Sequence, residues 1–278
     1  MAEPWSAQES DRPYVRPVTR TFNPWIAVVI AAIAWIAAIG VHSLSDLFSL
    51  SSFEPTPRAT PLAPELGSDR PAPTTPAGRV LDAQSAAPSL PKLENSDSMM
   101  RDAISGLVGR QAFADHFIAA DIVKRIVATV DNLPRETAPR RVMPVNPVPG
   151  IFSPDSQNYA RYAPYVRVFD AIEPHDLVQA YVRAYPLFQA AYEQLGYPGK
   201  YFNDRLMEAI DDLLEAPEPA TAPEFMRPRV LYEFAAPDLE TRSAGQKMLL
   251  RMGRENAARV KGKLREIRRE LVAATVLR

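Results

Sequence analysis

The side chains best suited to binding or catalysis are concentrated in one tyrosine-rich loop and the helix start that follows it. They are Tyr197, Lys200, Tyr201, Asn203, Asp204 and Arg205. Tyrosine offers a stacking face and a hydrogen bond at low entropic cost, so this stretch is a candidate binding face for a glycan or a peptide. Nine of the ten tyrosines lie between Tyr159 and Tyr232. At helical spacing, the simpler interpretation is an amphipathic core whose hydroxyls reach the rim.

The polar triplet after the loop also has two interpretations. In the simpler one, Asn203 caps a helix and Asp204 lies at the positive end of the helix dipole. In the other, Asp204 and Glu208, one turn apart, form a carboxylate site for acid–base chemistry or for a cation. Carboxylates at this spacing are common on helix surfaces, so no catalytic residue is assigned.

A second candidate site lies in the segment SAGQKMLLRMG. Lys247 and Arg251 are four residues apart on a predicted helix, where the default interpretation is a solvated face. Ser243, Gly245 and Gln246 could present donors at the start of that helix, which would make a pocket for a phosphate or carboxylate group. Both interpretations stay open at the level of sequence.

Several classes of chemistry lack support in the sequence. The chain has no cysteine, which excludes disulfides, thiolate metal sites and cysteine nucleophiles. His42, His116 and His175 are isolated and show no zinc-binding spacing. Neither a nucleophile elbow nor a glycine-rich nucleotide motif occurs. We therefore expect no catalytic residue, no metal and no cofactor.

Charge is balanced overall but segregated along the chain. The net charge of −1 argues against a general nucleic-acid binder. The C-terminal segment is nevertheless strongly basic, whereas residues 204–224 carry seven acids against the single Arg205. We predict that the acidic helix and loop lie against the basic final helix inside the fold.

The elements that position these groups begin with a hydrophobic segment near the N-terminus. The run Trp25–Val41 has no charged residue, and its length is near the lower limit of about 17–25 residues for a bilayer-spanning helix. We assign residues 24–44 as a transmembrane helix. A cleaved signal peptide is the alternative, although the 24 residues before the run form a long start for a signal.

The charges that flank this segment predict its orientation. Arg16 and Arg20 precede it, whereas Asp46 and Glu54 follow it. The positive-inside rule then places the arm of residues 1–23 in the cytoplasm and the rest of the chain outside. In a bacterium with two membranes, this means an inner-membrane protein with a periplasmic C-terminal domain.

After the hydrophobic segment, the sequence predicts a linker and one folded domain. Residues 45–90 are rich in Pro, Ala and Ser and lack apolar periodicity, which indicates a disordered tether. Residues 91–278 show helical periodicity interrupted by proline-rich loops. The predicted fold class is mainly α: a transmembrane helix, a disordered linker and a compact helical domain with at most a short two-stranded pairing.

Within the domain, the pattern predicts individual helices. Ser96 caps a first helix that ends at Gly109, and Phe113 and Phe117 lead into a second helix through Val130. The proline-rich stretch that follows is a long loop with a possible short strand at 142–143. A helix opens at Ser156, with Pro164 either as its true start or as a kink.

The remaining pattern predicts a long helix, a strand and three further helices. The long helix begins at Pro174, buries a stripe through Leu195 and ends at Gly196. The next helix begins near Asn203. The run RVLYEF alternates as a strand does, and helices follow up to Met252 and from Glu255.

Four stretches of the domain resemble a known family. They are ATVDNLP at 128–134, NYARYAPYV at 158–166, YPLFQAAYEQLGYPGKYFNDRL at 185–206 and SAGQKMLLRMG at 243–253. On these motifs the chain resembles the bacterial domain-of-unknown-function family 3014. The resemblance covers about two thirds of the chain and implies the layout of membrane helix, Pro-rich tether and C-terminal domain. It implies no catalytic residue and no ligand.

Together these features predict a non-enzymatic envelope protein. Its partners would be the inner membrane, through residues 24–44, and an envelope protein or a cell-wall glycan or peptide; nucleic acid is not expected. The alternative is an envelope enzyme acting on peptidoglycan or its precursors. A deep cleft with a buried Asp204 or Glu208 would favour the enzyme, and a shallow tyrosine-lined surface would favour the binding module.

Overall fold

A computed structural model describes residues 90–149, 152–154, 156–228 and 232–276. The predicted cytoplasmic arm, the transmembrane helix and all of the linker except Leu90 lie outside the described residues. In the described part of the chain, no helix combines the length and the apolar character needed to cross a membrane.

The described residues are mainly helical. In chain order the helices are α1 Asp97–Val108, α2 Arg110–His116, α3 Ile122–Asn132, α4 Ser156–Ala160, α5 Ala163–Asp170, α6 Pro174–Gln194, α7 Phe202–Leu214, α8 Pro237–Glu240, α9 Ala244–Arg251 and α10 Arg254–Val276. Short 3-10 turns occupy Leu93–Asn95 and Arg140–Val142. Strands β1 (Phe225–Met226) and β2 (Glu233–Phe234) pair antiparallel, with Phe225 opposite Phe234. The mainly helical class with a short two-stranded sheet is therefore confirmed for this region.

Two helices, α10 and α3, organise the packing. The helix α10 packs against α5, α6, α7 and α9, while α3 packs against α6 and α7. Their facing sides are apolar and aromatic, and the largest fully buried side chains include Tyr162, Tyr181, Tyr185, Phe188 and Phe202. Most of the tyrosine-rich region is therefore core, as the simpler interpretation held, whereas Tyr197 and Tyr201 are only partly buried.

The start of α1 differs in detail from the prediction. The helix ends at Gly109 (φ 90°) as predicted. Ser96 precedes it, but its hydroxyl donates to the Leu93 carbonyl at 2.7 Å and closes the preceding 3-10 turn instead of capping the helix. On the core side of this helix, Met100 is fully buried and Met99 is partly buried.

The predicted second helix is two helices, α2 and α3, separated by residues 117–121. The carboxylate of Asp97 in α1 accepts hydrogen bonds from the backbone N–H groups of Asp121 (2.8 Å) and Ile122 (2.9 Å). This cap comes from another helix and satisfies the first donors of α3, so α3 starts later than its apolar period indicates. The suggested strand at 142–143 is also wrong: the isolated bridge joins Phe117 to Val145.

Later boundaries follow the proline signals. Pro164 is the second residue of α5, so it marks a helix start and not a kink. Pro174 is the first residue of α6, as predicted. Leu195 was expected inside but is 43% exposed, because it follows the last helical residue. Within the predicted strand at 229–234, Glu233–Phe234 form β2, while residues 229–231 lie outside the described residues.

Candidate functional site

An open cleft of about 550 Å³ lies where the end of α3 meets the 195–201 loop and the first turns of α7. It is lined by Asp131, Arg135, Tyr192, Tyr197, Gly199, Lys200, Tyr201, Asp204, Arg205 and Glu208. Five of the six candidates in the tyrosine-rich loop and helix start are thus brought together in one place. The remaining one, Asn203, does not line the cleft.

Asp131, at the end of α3, anchors the cleft. Its side chain is 7% exposed, and its two oxygens accept from Arg135 Nη2 at 2.8 Å and from Arg205 Nε at 3.2 Å. Tyr197 Oη adds a longer hydrogen bond of 3.4 Å. Both arginines also donate to the Asp131 backbone carbonyl. Two guanidinium groups and a hydroxyl therefore compensate this buried charge.

Arg205 links the buried acid to the rim of the cleft. Its Nη1 lies 2.6 Å from Oε2 of Glu208, whose side chain is 60% exposed. Burial acts to lower the pKa of Arg205, but the hydrogen bond and charge of Glu208 and the charge of Asp131 outweigh it, so the net direction is upward. Arg205 therefore stays a cation and cannot act as a general base.

The floor of the cleft is a stacked pair of tyrosines. The rings of Tyr192 and Tyr197 lie 4.6 Å apart at an interplanar angle of 19°. The ammonium of Lys200 lies 5.8 Å from the centroid of the Tyr197 ring, at cation–π distance. Burial, reinforced by the charge of Asp131, raises the pKa of Tyr192 to about 12. Its hydroxyl is therefore protonated near neutral pH.

Gln189 on α6 fixes the loop that carries Tyr197 and Lys200. Its Nε2 donates to the Lys200 carbonyl at 2.8 Å, and its Oε1 accepts from the Phe202 N–H at 2.9 Å. The loop also contains Gly196 (φ 118°), which occupies a conformation that residues with a Cβ rarely adopt. The loop is thus positioned before any ligand binds.

Asn203 does not cap a helix, contrary to the simpler interpretation. It lies within α7, is 1% exposed, and accepts a hydrogen bond from Tyr181 Oη at 3.2 Å. Because Gln189 supplies the acceptor for the first N–H of α7, the helix begins one residue earlier and turns Asn203 into the core. Asn203 is therefore unavailable to the cleft.

Lys247 and Arg251 lie outside the cleft and have partners within the domain. Lys247 Nζ contacts Glu240, with Oε1 at 3.3 Å and the carbonyl at 3.1 Å. Arg251 donates to the Tyr232 carbonyl at 3.2 Å, and its guanidinium lies 5.3 Å from the centroid of the Phe234 ring. These contacts attach α8 and the β-hairpin to α9.

The anion pocket suggested at the start of α9 is not formed. The N–H groups of Ala244 and Gly245 donate to the carbonyls of Arg135 (2.7 Å) and Leu133 (2.9 Å). The Gln246 N–H donates to the Ser243 hydroxyl at 3.1 Å. With its first donors used inside the protein, this helix start docks onto the segment after α3 and supports the cleft from behind.

Sequence reasoning missed Asp131, Arg135 and Tyr192 as members of the site, and it paired Glu208 with Asp204 instead of Arg205. Asp131 lies 66 positions from Tyr197 and 74 from Arg205 along the chain. No local spacing reveals such a contact. The available signal was that Asp131 belongs to ATVDNLP, one of the stretches on which the family resemblance was based.

The composition of the cleft limits its chemistry. It contains three cations and three carboxylates. Within the described ranges, no cluster of three or more His, Cys, Asp or Glu side chains has metal-binding geometry. The arrangement can therefore stack against a ligand and exchange hydrogen bonds and charge with it.

Comparison with known proteins gives one result. A family model described as "Protein of unknown function (DUF3014)" matches residues 122–268, which contain every residue lining the cleft. No curated protein and no solved structure matches the chain.

Proposed function

The chain belongs to the family of proteins of unknown function DUF3014, and on this premise we propose that it is a non-enzymatic binding module of the bacterial envelope. The module recognises an envelope protein or a cell-wall glycan or peptide through the cleft around Tyr197. The observation that carries the proposal is a preformed cleft that joins stacked tyrosines to hydrogen-bonding and charged groups. Such a mixture fixes the orientation of a ligand and gives specificity.

The same geometry favours binding over catalysis. Asp204 and Glu208, the acids named for the enzyme alternative, are exposed at the rim, and Glu208 is ion-paired with Arg205. The one buried acid of the cleft, Asp131, is held between two guanidinium groups. The enzyme alternative called for a carboxyl group buried in a deep cleft, and the buried acid that the described residues provide here is ion-paired.

The proposal places this module on the periplasmic side of the inner membrane. Residues 24–44 are the membrane anchor, residues 1–23 the cytoplasmic arm, and residues 45–90 a spacer of up to ~140 Å if fully extended at ~3.1 Å per residue. The support is the apolar run Trp25–Val41 and the position of Arg16 and Arg20 before it.

Crosslinking in intact cells tests the binding function. A photocrosslinking residue at the exposed Pro198 is compared with one at the exposed Gln111 on α2. We expect Pro198 to capture a defined partner that Gln111 does not, and we expect Tyr197→Ala to abolish this capture. Equal capture from both positions, or recovery of only the most abundant envelope proteins, would contradict the binding function.

A separate experiment tests the topology. Reporter domains that are active only in the periplasm are fused after Leu90 and after Arg278 of the full chain. We expect activity from both fusions and a chain that sediments with membranes until detergent is added. Inactive reporters at both positions would refute the periplasmic topology, and a full chain that stays soluble without detergent would refute the anchor.

A further inference from the structure

The charges of the cleft are not all paired in the same way. Asp131 and Glu208 are matched by Arg135 and Arg205, whose guanidinium groups are committed to these carboxylates. Lys200 is different: within the described part of the chain its ammonium has no acidic partner. The contact that it makes there is a cation–π interaction with the Tyr197 ring, whose centroid is 5.8 Å away. Among the cations that line the cleft, Lys200 is thus the one with no carboxylate at ion-pairing distance in the described residues.

A hydroxyl group without a hydrogen-bond partner lies at the floor of the cleft. Tyr192 is 4% exposed and lines the cleft, and its hydroxyl has no hydrogen-bond partner among the described residues. Its ring is fixed between Tyr197 (4.6 Å) and Phe202 (5.7 Å), so the hydroxyl cannot turn away. Because this hydroxyl lines the cleft and has no acceptor there, it can donate a hydrogen bond to a ligand that enters.

We infer that the cleft binds the carboxylate of a short peptide, with the Lys200 ammonium supplying the opposite charge and the Tyr192 hydroxyl donating a hydrogen bond. The peptide backbone next to the carboxylate lies against the rings of Tyr197 and Tyr201. This inference rests on the proposed binding function and names the ligand of the same site.

Charge and shape favour a peptide carboxylate over other anions. The single ammonium of Lys200 matches a singly charged carboxylate, whereas a phosphate of charge near −2 would be repelled more strongly by the rim acids Asp204 and Glu208. The arginine forks that recognise phosphate bidentately are already used by Asp131 and Glu208. A volume of about 550 Å³ lies within the range of small-molecule sites and admits a few residues.

Paired peptide pools test the inference. The full-length chain in detergent is dialysed against N-acetylated tripeptides of neutral residues, each present as the free acid and as the C-terminal amide, and the bound peptides are quantified by mass spectrometry. We expect acids to be retained about tenfold over amides, the ratio for a charge-assisted hydrogen bond. Lys200→Gln should abolish the preference, and Tyr192→Phe, which keeps the ring, should reduce it severalfold.

Controls separate this inference from the binding function itself. Lys124→Gln removes a similarly exposed lysine on α3 and should leave the preference unchanged; circular dichroism verifies that each variant is folded. Equal retention of acids and amides, no retention of either, or a preference that survives Lys200→Gln overturns the carboxylate assignment. Stronger displacement by phosphate or glucuronate than by peptide acids overturns the peptide. The crosslinking from Pro198 does not depend on a carboxylate, so its result reports on the binding function alone.

Discussion

At the scale of single residues, Asp131 determines the geometry of the cleft. Its side chain is 7% exposed and holds Arg205, which is 14% exposed, and Arg135. Without the carboxylate, two guanidinium groups would face each other around a neutral amide. We therefore expect Asp131→Asn to lower the free energy of unfolding by about 3 kcal/mol, the lower end of the range for breaking a buried ion pair. Urea denaturation of the full chain measures this change.

Asp102 on α1 provides the matched control. It forms an ion pair with Arg101 at 3.8 Å, and its side chain is 66% exposed. Asp102→Asn should change the free energy of unfolding by no more than about 0.5 kcal/mol, because exposed ion pairs contribute little. If the two substitutions cost the same, Asp131 does not have the organising role that its contacts indicate.

The sequence revealed only part of this arrangement. Tyr197, Lys200, Tyr201, Asp204 and Arg205 are neighbours along the chain, so their types alone indicated a candidate site. The acid that joins them comes from a distant helix, and a single aspartate in an amphipathic helix has no distinctive pattern. Asn203 was misassigned for the same reason: Gln189, which decides where α7 begins, is 13 positions from Phe202.

At the scale of elements, the close contact between α9, α7 and the end of α3 requires a glycine. A Cβ placed on Gly245 would lie 2.7 Å from Leu213 Cδ2 and 3.3 Å from the Leu133 carbonyl oxygen. Gly245→Ala therefore requires the buried Leu213 side chain to move and tightens the contact with the Leu133 carbonyl. We expect a loss of stability of about 1–3 kcal/mol, as for other overpacked cores, measured as a shift in the urea midpoint.

Gly262 on α10 is the corresponding control. A Cβ at this position would meet nothing within 4 Å. Gly262→Ala should therefore stabilise the chain by about 0.5–1 kcal/mol, because alanine loses less conformational entropy in a helix. Destabilisation by both substitutions would show that the contact at Gly245 is not what limits that position.

The same junction contains a carboxylate whose ionisation affects stability. Burial raises the pKa of Asp212 above its ordinary value of 3.8, although hydrogen bonds from Ser243 and Gln246 oppose the shift. The folded state then binds this proton more tightly than the unfolded state, so ionised Asp212 lowers stability above the folded-state pKa. Stability of the wild type relative to Asp212→Asn should rise as pH falls from about 7 through the folded-state pKa toward 3.8.

Ser243→Ala provides a check on the cause of this dependence. The serine hydroxyl donates to Asp212 Oδ2 at 2.7 Å, and this bond lowers the pKa. Without it, the stability gained on acidification should be larger than in the wild type. Urea denaturation across this pH interval gives both values. A stability difference between the wild type and Asp212→Asn that does not change with pH would disprove the assignment.

The sequence predicted which segments are helical, but it did not predict where several of these helices begin or end. Apolar period and proline signals identified α6 and the region of α9 and α10, because those signals are local. The ends that differed are determined by side chains from other elements: Asp97 caps α3 from α1, and Gln189 caps α7 from α6. No pattern within α3 or α7 contains that information.

At the scale of the whole molecule, segregated charge is neutralised inside the fold. The acidic segment at 204–224 forms ion pairs with the basic α10 at two points. Arg268 pairs with Asp211 (Nε–Oδ1 2.6 Å), and Lys261 pairs with Glu218 (2.5 Å). The hypothesis that the acidic helix and loop lie against the final helix is confirmed. The apolar periodicity of the two helices does not specify which acid meets which base, so the pairing of Asp211 with Arg268 could not be predicted.

A double-mutant cycle tests whether these pairs hold α10 in place. Both side chains of the Asp211–Arg268 pair are about 40% exposed, so we expect a modest coupling energy of about 0.5–1 kcal/mol that weakens with added salt. Asp211→Lys and Arg268→Glu should each destabilise the chain, and the double reversal should recover most of the loss. The same cycle on the more exposed pair of Arg259 and Asp170 (3.9 Å) should give almost no coupling. If the Asp211–Arg268 energies are simply additive, apolar packing alone positions the helix and the charge segregation serves another purpose.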